Sequence, residues 1–254
     1  MKTLPDGSSW LRNFSPAADA PVRLVCLPHA GGSATFYVPV ARALSPAADV
    51  LAVQYPGRQD RRREPLVPDI KLLADRIAET LAPYDDRPLA LFGHSMGALI
   101  GFEVARRLEA AGTRPAHLFV SGRMAPTVTT EDRWHLASDR DLVGEVTSLG
   151  GTDGTLLDDH ELLEMILPSV RSDYQAVETY EYEPGPSLHC PVTAFTGDSD
   201  PKADVDRVLL WEQHTTGSFT AKVFPGGHFY LLQHTDSILR VMSDQLSLSP
   251  ATAP

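Results

Sequence analysis

The sequence is short of three things. It has two cysteines, Cys26 and Cys190, each beside apolar residues in a β-rich run. Two reduced, buried thiols fit such a chain better than a disulfide framework. It has no apolar stretch long enough to cross a bilayer. Its polar first 20 residues lack the apolar core of a signal peptide, so neither export nor anchoring is expected, and a cytoplasmic location is. It is also short of positive charge, with 22 Lys and Arg against 33 Asp and Glu and a formal net charge of -11. Nucleic acid and anionic membranes are therefore disfavoured as main partners, because cationic surface drives those associations.

What is present suits one sizeable core. The 254 residues are 43% hydrophobic and 22% charged, the balance of a soluble globular protein, and they read as a single α/β domain spanning 1–254. No repeat or low-complexity tract interrupts it; the first 20 residues and the tail from Ser247 to Pro254 read as loose ends. Between them β-rich runs alternate with helical spacing. Strands are expected at Val22–Leu27, Val50–Tyr55, Leu89–Phe92, His117–Ser121, Val192–Thr196 and Phe219–Phe224. Helices are expected at Ala34–Leu44, Asp69–Tyr84, Met96–Ala111, Val205–Gln213 and Phe229–Leu246. Leu89–Phe92 is too apolar for one wet face, as in the covered centre of a parallel sheet. The fold class is α/β: a mostly parallel, doubly wound sheet.

One interval breaks the rhythm. Residues 123–188 contain no convincing strand but two helical stripes: Leu142, Val143, Val146 and Leu149, then Leu162, Ile166, Val170, Tyr174 and Val177, with Pro168 expected to bend the second. A helical insertion of this length reads as a lid over a site, or else as a packing appendage.

The chemistry starts at Phe92-Gly93-His94-Ser95-Met96-Gly97. This is G-x-S-x-G, the turn that lifts a serine hydroxyl from a strand to attack an acyl carbon. Such a serine needs a base, and the base an orienting acid, in the chain order Ser, Asp or Glu, His. His228 is the best base of the nine histidines, in the Gly-rich turn Pro225-Gly226-Gly227-His228-Phe229. His94 reads as structural because its side chain diverges from that of Ser95. His117, His135, His160, His189, His214 and His234 read as solvated or core-edge residues. For the acid, Gly197-Asp198-Ser199-Asp200-Pro201 follows a strand at the sheet edge where catalytic groups gather; Asp200 is the first choice and Asp198 the alternative. The oxyanion hole needs two backbone donors, assigned to Met96 and to Ala30 in the small-residue loop after the first strand. The scattered His, Asp and Glu residues show no metal-ligand spacing.

Taken together, Leu27-Pro28-His29-Ala30-Gly31-Gly32-Ser33, Gln54-Tyr55-Pro56-Gly57-Arg58-Gln59-Asp60, the elbow, Gly197–Asp200 and Pro225–Phe229 resemble the α/β-hydrolase superfamily. Within it the chain is similar, from about Arg23 to Gln245, to the type II (editing) thioesterases of polyketide and nonribosomal peptide synthesis. The resemblance implies a Ser95, Asp200, His228 triad, with Ala30 and Met96 as oxyanion donors. It also implies a helical lid over an acyl chamber and hydrolysis of acyl thioesters on the phosphopantetheine arm of a carrier protein. The enzyme would clear aberrant or stalled acyl groups without a metal or cofactor of its own, as a monomer. Small-molecule esterase, chain-releasing thioesterase and non-catalytic relative stand as alternatives. Arg58, Arg61, Arg62 and Arg63 form a basic cluster that reads as a docking site for an acidic carrier protein, or as a solvated loop paired with Asp60 and Glu64.

Overall fold

The computed structural model describes residues 9–150 and 160–248. Residues 151–159 of the insertion, the side chains of His160 and Leu162, and the tail from 249 onward lie outside the described residues.

Seven strands form one sheet in the order β1-β3-β2-β4-β5-β6-β7. They are β1 (Leu11–Arg12), β2 (Val22–Leu27), β3 (Ala48–Val53), β4 (Leu89–His94), β5 (His117–Ser121), β6 (Val192–Gly197) and β7 (Phe219–Phe224). All neighbours pair in parallel except β1, which runs antiparallel to β3, with Leu11 opposite Val53. Every residue of β2 and β4 is buried, because helices cover both faces of the sheet.

Alternation along the strands divides the core. Val25, Leu27, Leu51, Leu91, Leu118 and Val120 point to one layer, where α2 (Ile70–Leu81) and α3 (Met96–Ala110) pack. Leu24, Cys26, Val50, Phe92, Phe119 and Phe195 point to the other, closed by α1 (Val38–Leu44) and α8 (Thr235–Gln245). Each fully buried large aliphatic or aromatic side chain contributes about 1.5–3 kcal/mol of transfer free energy. The α2 helix shows how the sequence encodes this. Asp69 caps its start by accepting from the Leu72 N–H at 2.9 Å, and Ile70, Leu73, Ile77 and Leu81 form its buried stripe. Both cysteines are free and buried.

Several expectations need correction. The first 20 residues are not all loose: Leu11 lies in β1, and Leu11, Ala17 and Ala20 are buried. A two-residue strand has too short a pattern to show periodicity. The second parallel strand covers Ala48–Val53, two residues earlier than expected, because Gln54 and Tyr55 already turn their side chains into loop contacts. Residues 34–37 form a 3-10 turn before α1, and only Val205–Leu209 (α6) is α-helical before a second 3-10 turn. The last helix is broken at His234 into α7 (Tyr230–Gln233) and α8. Leu246 is buried and Leu248 packs against the core, so the chain is anchored past the expected start of the tail.

The insertion carries α4 (Asp139–Ser148) and α5 (His160–Glu178). Pro168 lies inside α5 without ending it. No described helix is long and apolar enough to cross a membrane.

Candidate active site

The loops after β2, β4, β5, β6 and β7 open at the same edge of the sheet. The sheet order reverses between β2 and β4, which run to opposite sides, so the loops following these two strands frame a crevice. Ser95 sits there at φ 55° and ψ -114°, a backbone region an L-residue occupies at a cost of roughly 1–3 kcal/mol. The two glycines of the motif permit it. A Cβ on Gly93 would lie 2.0 Å from the Gly97 carbonyl oxygen, and one on Gly97 would lie 2.0 Å from the Leu27 carbonyl oxygen. Strand and helix therefore approach closely enough to force the turn. The Ser95 N–H donates to the Ser121 carbonyl at 2.8 Å, which pins the elbow to β5.

His228 is 3% exposed, and its Nδ1 lies 2.9 and 3.0 Å from the two Asp200 carboxylate oxygens. The Asp200 side chain is fully buried. Asp198, the alternative acid, is exposed and does another job: its carboxylate accepts from the Gly226 N–H at 3.0 Å and from the Ser199 hydroxyl. The Gly226 N–H holds that carboxyl below its usual range. Asp198 thus ties the β6 loop to the turn that presents His228. The geometry favours Asp200 as the orienting acid.

Ser95 and His228 line one cavity of about 860 Å³, with His29, Ala30 and Phe229 beside them. Among the described residues the Ser95 hydroxyl makes no hydrogen bond, so it is free to rotate toward an incoming carbonyl. The backbone N–H groups of Ala30 and Met96 also have no acceptor among the described residues. Met96 is the first residue of α3, whose opening N–H groups have no partner within the helix. The neighbouring Gly31 N–H is committed, donating to Asp173 at 2.7 Å.

His94, diverging from Ser95 as expected, is fully buried in a structural network. Its Nδ1 lies 3.0 Å from the Ser121 hydroxyl, which is 2.7 Å from the Tyr230 hydroxyl. Its ring is 4.9 Å from that of His228 and 5.9 Å from that of His29. Burial drives His94 well below the usual imidazole range and pulls His29 down to about 3, each helped by the neighbouring His228. Both rings are neutral at pH 7. Of the other histidines, His117 is buried against Thr193 and His214 is buried near Trp211, whereas His135, His189 and His234 pair with Glu178, Glu109 and the Pro225 carbonyl.

The arginine cluster corrects the sequence reading. Arg58 is buried and ion-paired to Asp173 of α5. Arg61 is buried too: it pairs with Glu64 at 2.5 Å, donates to the Gln54 carbonyl at 2.7 Å and stacks over Trp10. Asp60 pairs with Arg12 of β1. Neither Arg58 nor Arg61 is available to dock a partner, because each guanidinium is spent holding the loop down. Arg62 alone of the three proposed docking residues is exposed, and it lines the cavity. Sequence reasoning missed Asp173: nothing in an amphipathic helix marks one acid as a partner of a distant loop.

The rest of the cavity comes from the insertion. Val143 and Val146 of α4, Leu149 just past its end, and Ile166, Val170 and Val177 of α5 line it, the same positions that form the apolar stripes in the sequence. Among the described residues no group of three or more His, Cys, Asp or Glu could hold a metal ion.

A parallel sheet with a strained serine elbow, and a buried Asp–His pair opening on the same cavity, defines the α/β-hydrolase class. Residues 22–246 match the thioesterase domain family, and the chain belongs to that family. It is 50% identical over 229 residues to a probable cadicidin biosynthesis thioesterase of Streptomyces griseus, covering 90% of this chain and 63% of that protein. It is 46% identical over 243 residues to the thioesterase PikA5 of Streptomyces venezuelae, covering 95% and 86%. Among solved structures it is similar to the type II thioesterase BorB from the borrelidin biosynthetic cluster, with a TM-score of 0.88 and 51% identity over 93% of this chain and 97% of that one.

Proposed function

We propose that this protein hydrolyses acyl thioesters carried on the phosphopantetheine arm of a carrier protein and so removes stalled acyl groups from a polyketide or nonribosomal peptide assembly line. The buried Asp200–His228 pair, sharing one cavity with Ser95 at its strained elbow, carries the reading. The Ser95 oxygen attacks the thioester carbonyl while His228 Nε2 takes its proton. Asp200, at Nδ1, fixes the tautomer that leaves Nε2 free and stabilises the imidazolium. The Ala30 and Met96 N–H groups stabilise the oxyanion, each worth about 3–4 kcal/mol of barrier. Collapse expels the thiol, which receives the proton from His228. A water deprotonated by the same imidazole then attacks the acyl-enzyme and releases the acid.

Residues 123–188 act as the lid of a single domain, and its apolar helices form the acyl chamber. No step is routed through a metal or cofactor. The partner is the carrier protein, whose arm must reach Ser95 past the rim where Arg62 lies. Similarity to the borrelidin-cluster enzyme supports the editing role.

The test is acyl release from an acylated carrier protein. Ser95→Ala is expected to lower kcat by about 10⁶-fold, the loss seen when a nucleophile is removed from such a unit, and to abolish labelling by a fluorophosphonate. Turnover or labelling retained in that variant would refute the assignment of the nucleophile.

A further inference from the structure

Among the charged groups at the cavity wall, Arg123 combines partial burial with an unpartnered side chain. Arg123 lies two residues beyond the end of β5, and its main chain is fixed: its carbonyl accepts from the Trp211 indole at 2.8 Å, and the preceding Gly122 N–H donates to the Phe195 carbonyl at 2.9 Å. Its side chain lines the cavity, yet among the described residues it has no hydrogen bond or ion pair, and its Nε is buried without a partner. Neighbouring charges at this wall have partners. Arg58 has Asp173, Lys202 has Asp132 and Glu145, and Glu178 accepts from the Trp134 N–H and pairs with His135. Burial pulls the Arg123 guanidinium down to about 10, so it stays a cation at neutral pH.

Arg123 is half-buried, with its Nε shut away from water and unpartnered; shielding a cation in this way is costly unless something completes it. The cavity faces substrate, so the completing group is one that arrives with substrate. We propose that Arg123 is a specificity residue that donates to a carbonyl oxygen of the bound thioester, beyond the carbonyl under attack. The inference rests on the thioesterase reading of this cavity. A guanidinium presents several donors in one plane and suits a carbonyl or pair of carbonyls better than an ammonium does. Two parts of the substrate carry such oxygens: an oxidised acyl chain, and the amides of the pantetheine arm.

Four small thioesters distinguish them: hexanoyl and 3-oxohexanoyl groups, each on ethanethiol and on pantetheine. The readout is the ratio of kcat/KM with the extra carbonyl to kcat/KM without it, which general damage to the enzyme does not change. The wild-type protein is expected to show a ratio well above one along at least one of the two comparisons. In Arg123→Met that ratio is expected to fall by about 10- to 100-fold, the range of a hydrogen bond to a charged donor. Arg123→Gln, which keeps a donor without the charge, should fall less far, and it serves as the reading if the methionine variant does not fold. A fall confined to the 3-oxo comparison assigns Arg123 to the acyl chain, and one confined to pantetheine assigns it to the arm. Ratios near one in the wild type, or ratios unchanged within twofold in the variants, overturn the proposal. Absence of Ser95-dependent hydrolysis of all four esters would instead sink the thioesterase reading itself.

Discussion

At the scale of single residues, two aspartates two positions apart have different tasks. Asp200 is buried with both carboxylate oxygens facing His228 Nδ1, while Asp198 is exposed and braces the Gly226 turn. Asp200→Asn keeps the shape but offers the imidazole an amide in place of a carboxylate. It no longer stabilises the imidazolium, and it favours the tautomer with the proton on the wrong nitrogen. A loss of about 10⁴-fold in kcat is expected, the scale known for this replacement in a serine triad. Asp198→Asn leaves the triad intact and should change kcat by less than about tenfold, with a small loss of thermal stability from the weakened turn. Steady-state rates on one acyl thioester decide between the two, and the reverse ranking would move the orienting role to Asp198.

At the scale of elements, the insertion and the oxyanion loop are joined by one carboxylate. Asp173 of α5 accepts from the Gly31 N–H and pairs with Arg58. Burial raises its carboxyl, and Arg58 and the Gly31 N–H offset only part of that. Removing the carboxylate strands a buried guanidinium, so Asp173→Ala is expected to cost about 3–5 kcal/mol in urea unfolding; a loss under about 1 kcal/mol would mean the pair adds little. This link also marks where sequence reading stopped. The β2–α1 turn, the elbow, the strand that precedes Asp200 and the Gly-rich turn of His228 are local patterns, each written in a few adjacent residues, and all were legible. The apolar stripes of α4 and α5 were legible because a 3.6-residue period survives without knowing its partner. The burial of Arg58 was not, since a charge in a loop looks the same whether it faces water or an acid 115 positions away; for Arg61 the local partner Glu64 was legible, but the Trp10 ring that covers it was not. The β1 edge strand was missed for the same reason: its two residues are defined by their partner, not by their own pattern.

At the scale of the whole molecule, the fold keeps three imidazoles uncharged: His29 and His94 at the active-site edge, and His117 at the opposite end of β5. His29 is pulled down to about 3, His117 to about 4 and His94 well below its usual range, in each case chiefly by burial. In the unfolded chain each would bind its proton near pH 6.5. Between that value and its folded value, each histidine carries a proton only when the chain is unfolded. Their contribution to stability is therefore complete above about pH 6.5 and drains away as pH falls, at up to about 1.4 kcal/mol per pH unit for each ring. Most carboxylates titrate near pH 4, so the interval from 6.5 to 4.5 mainly reports the histidines, with His214, also lowered by burial, adding to the three and the raised Asp173 opposing them. Urea unfolding across it should show stability falling at up to about 4 kcal/mol per pH unit from these three together. His117→Gln is the clean control, because His117 lies in β5 with its Nε2 2.8 Å from the Thr193 hydroxyl, where an amide can take over the hydrogen bond. That variant should lose up to about 1.4 kcal/mol per pH unit of the slope while remaining active. A flat profile in the wild-type protein, or an unaltered slope in the variant, would mean that these rings accept protons in the folded state and that their surroundings are wetter than the packing implies.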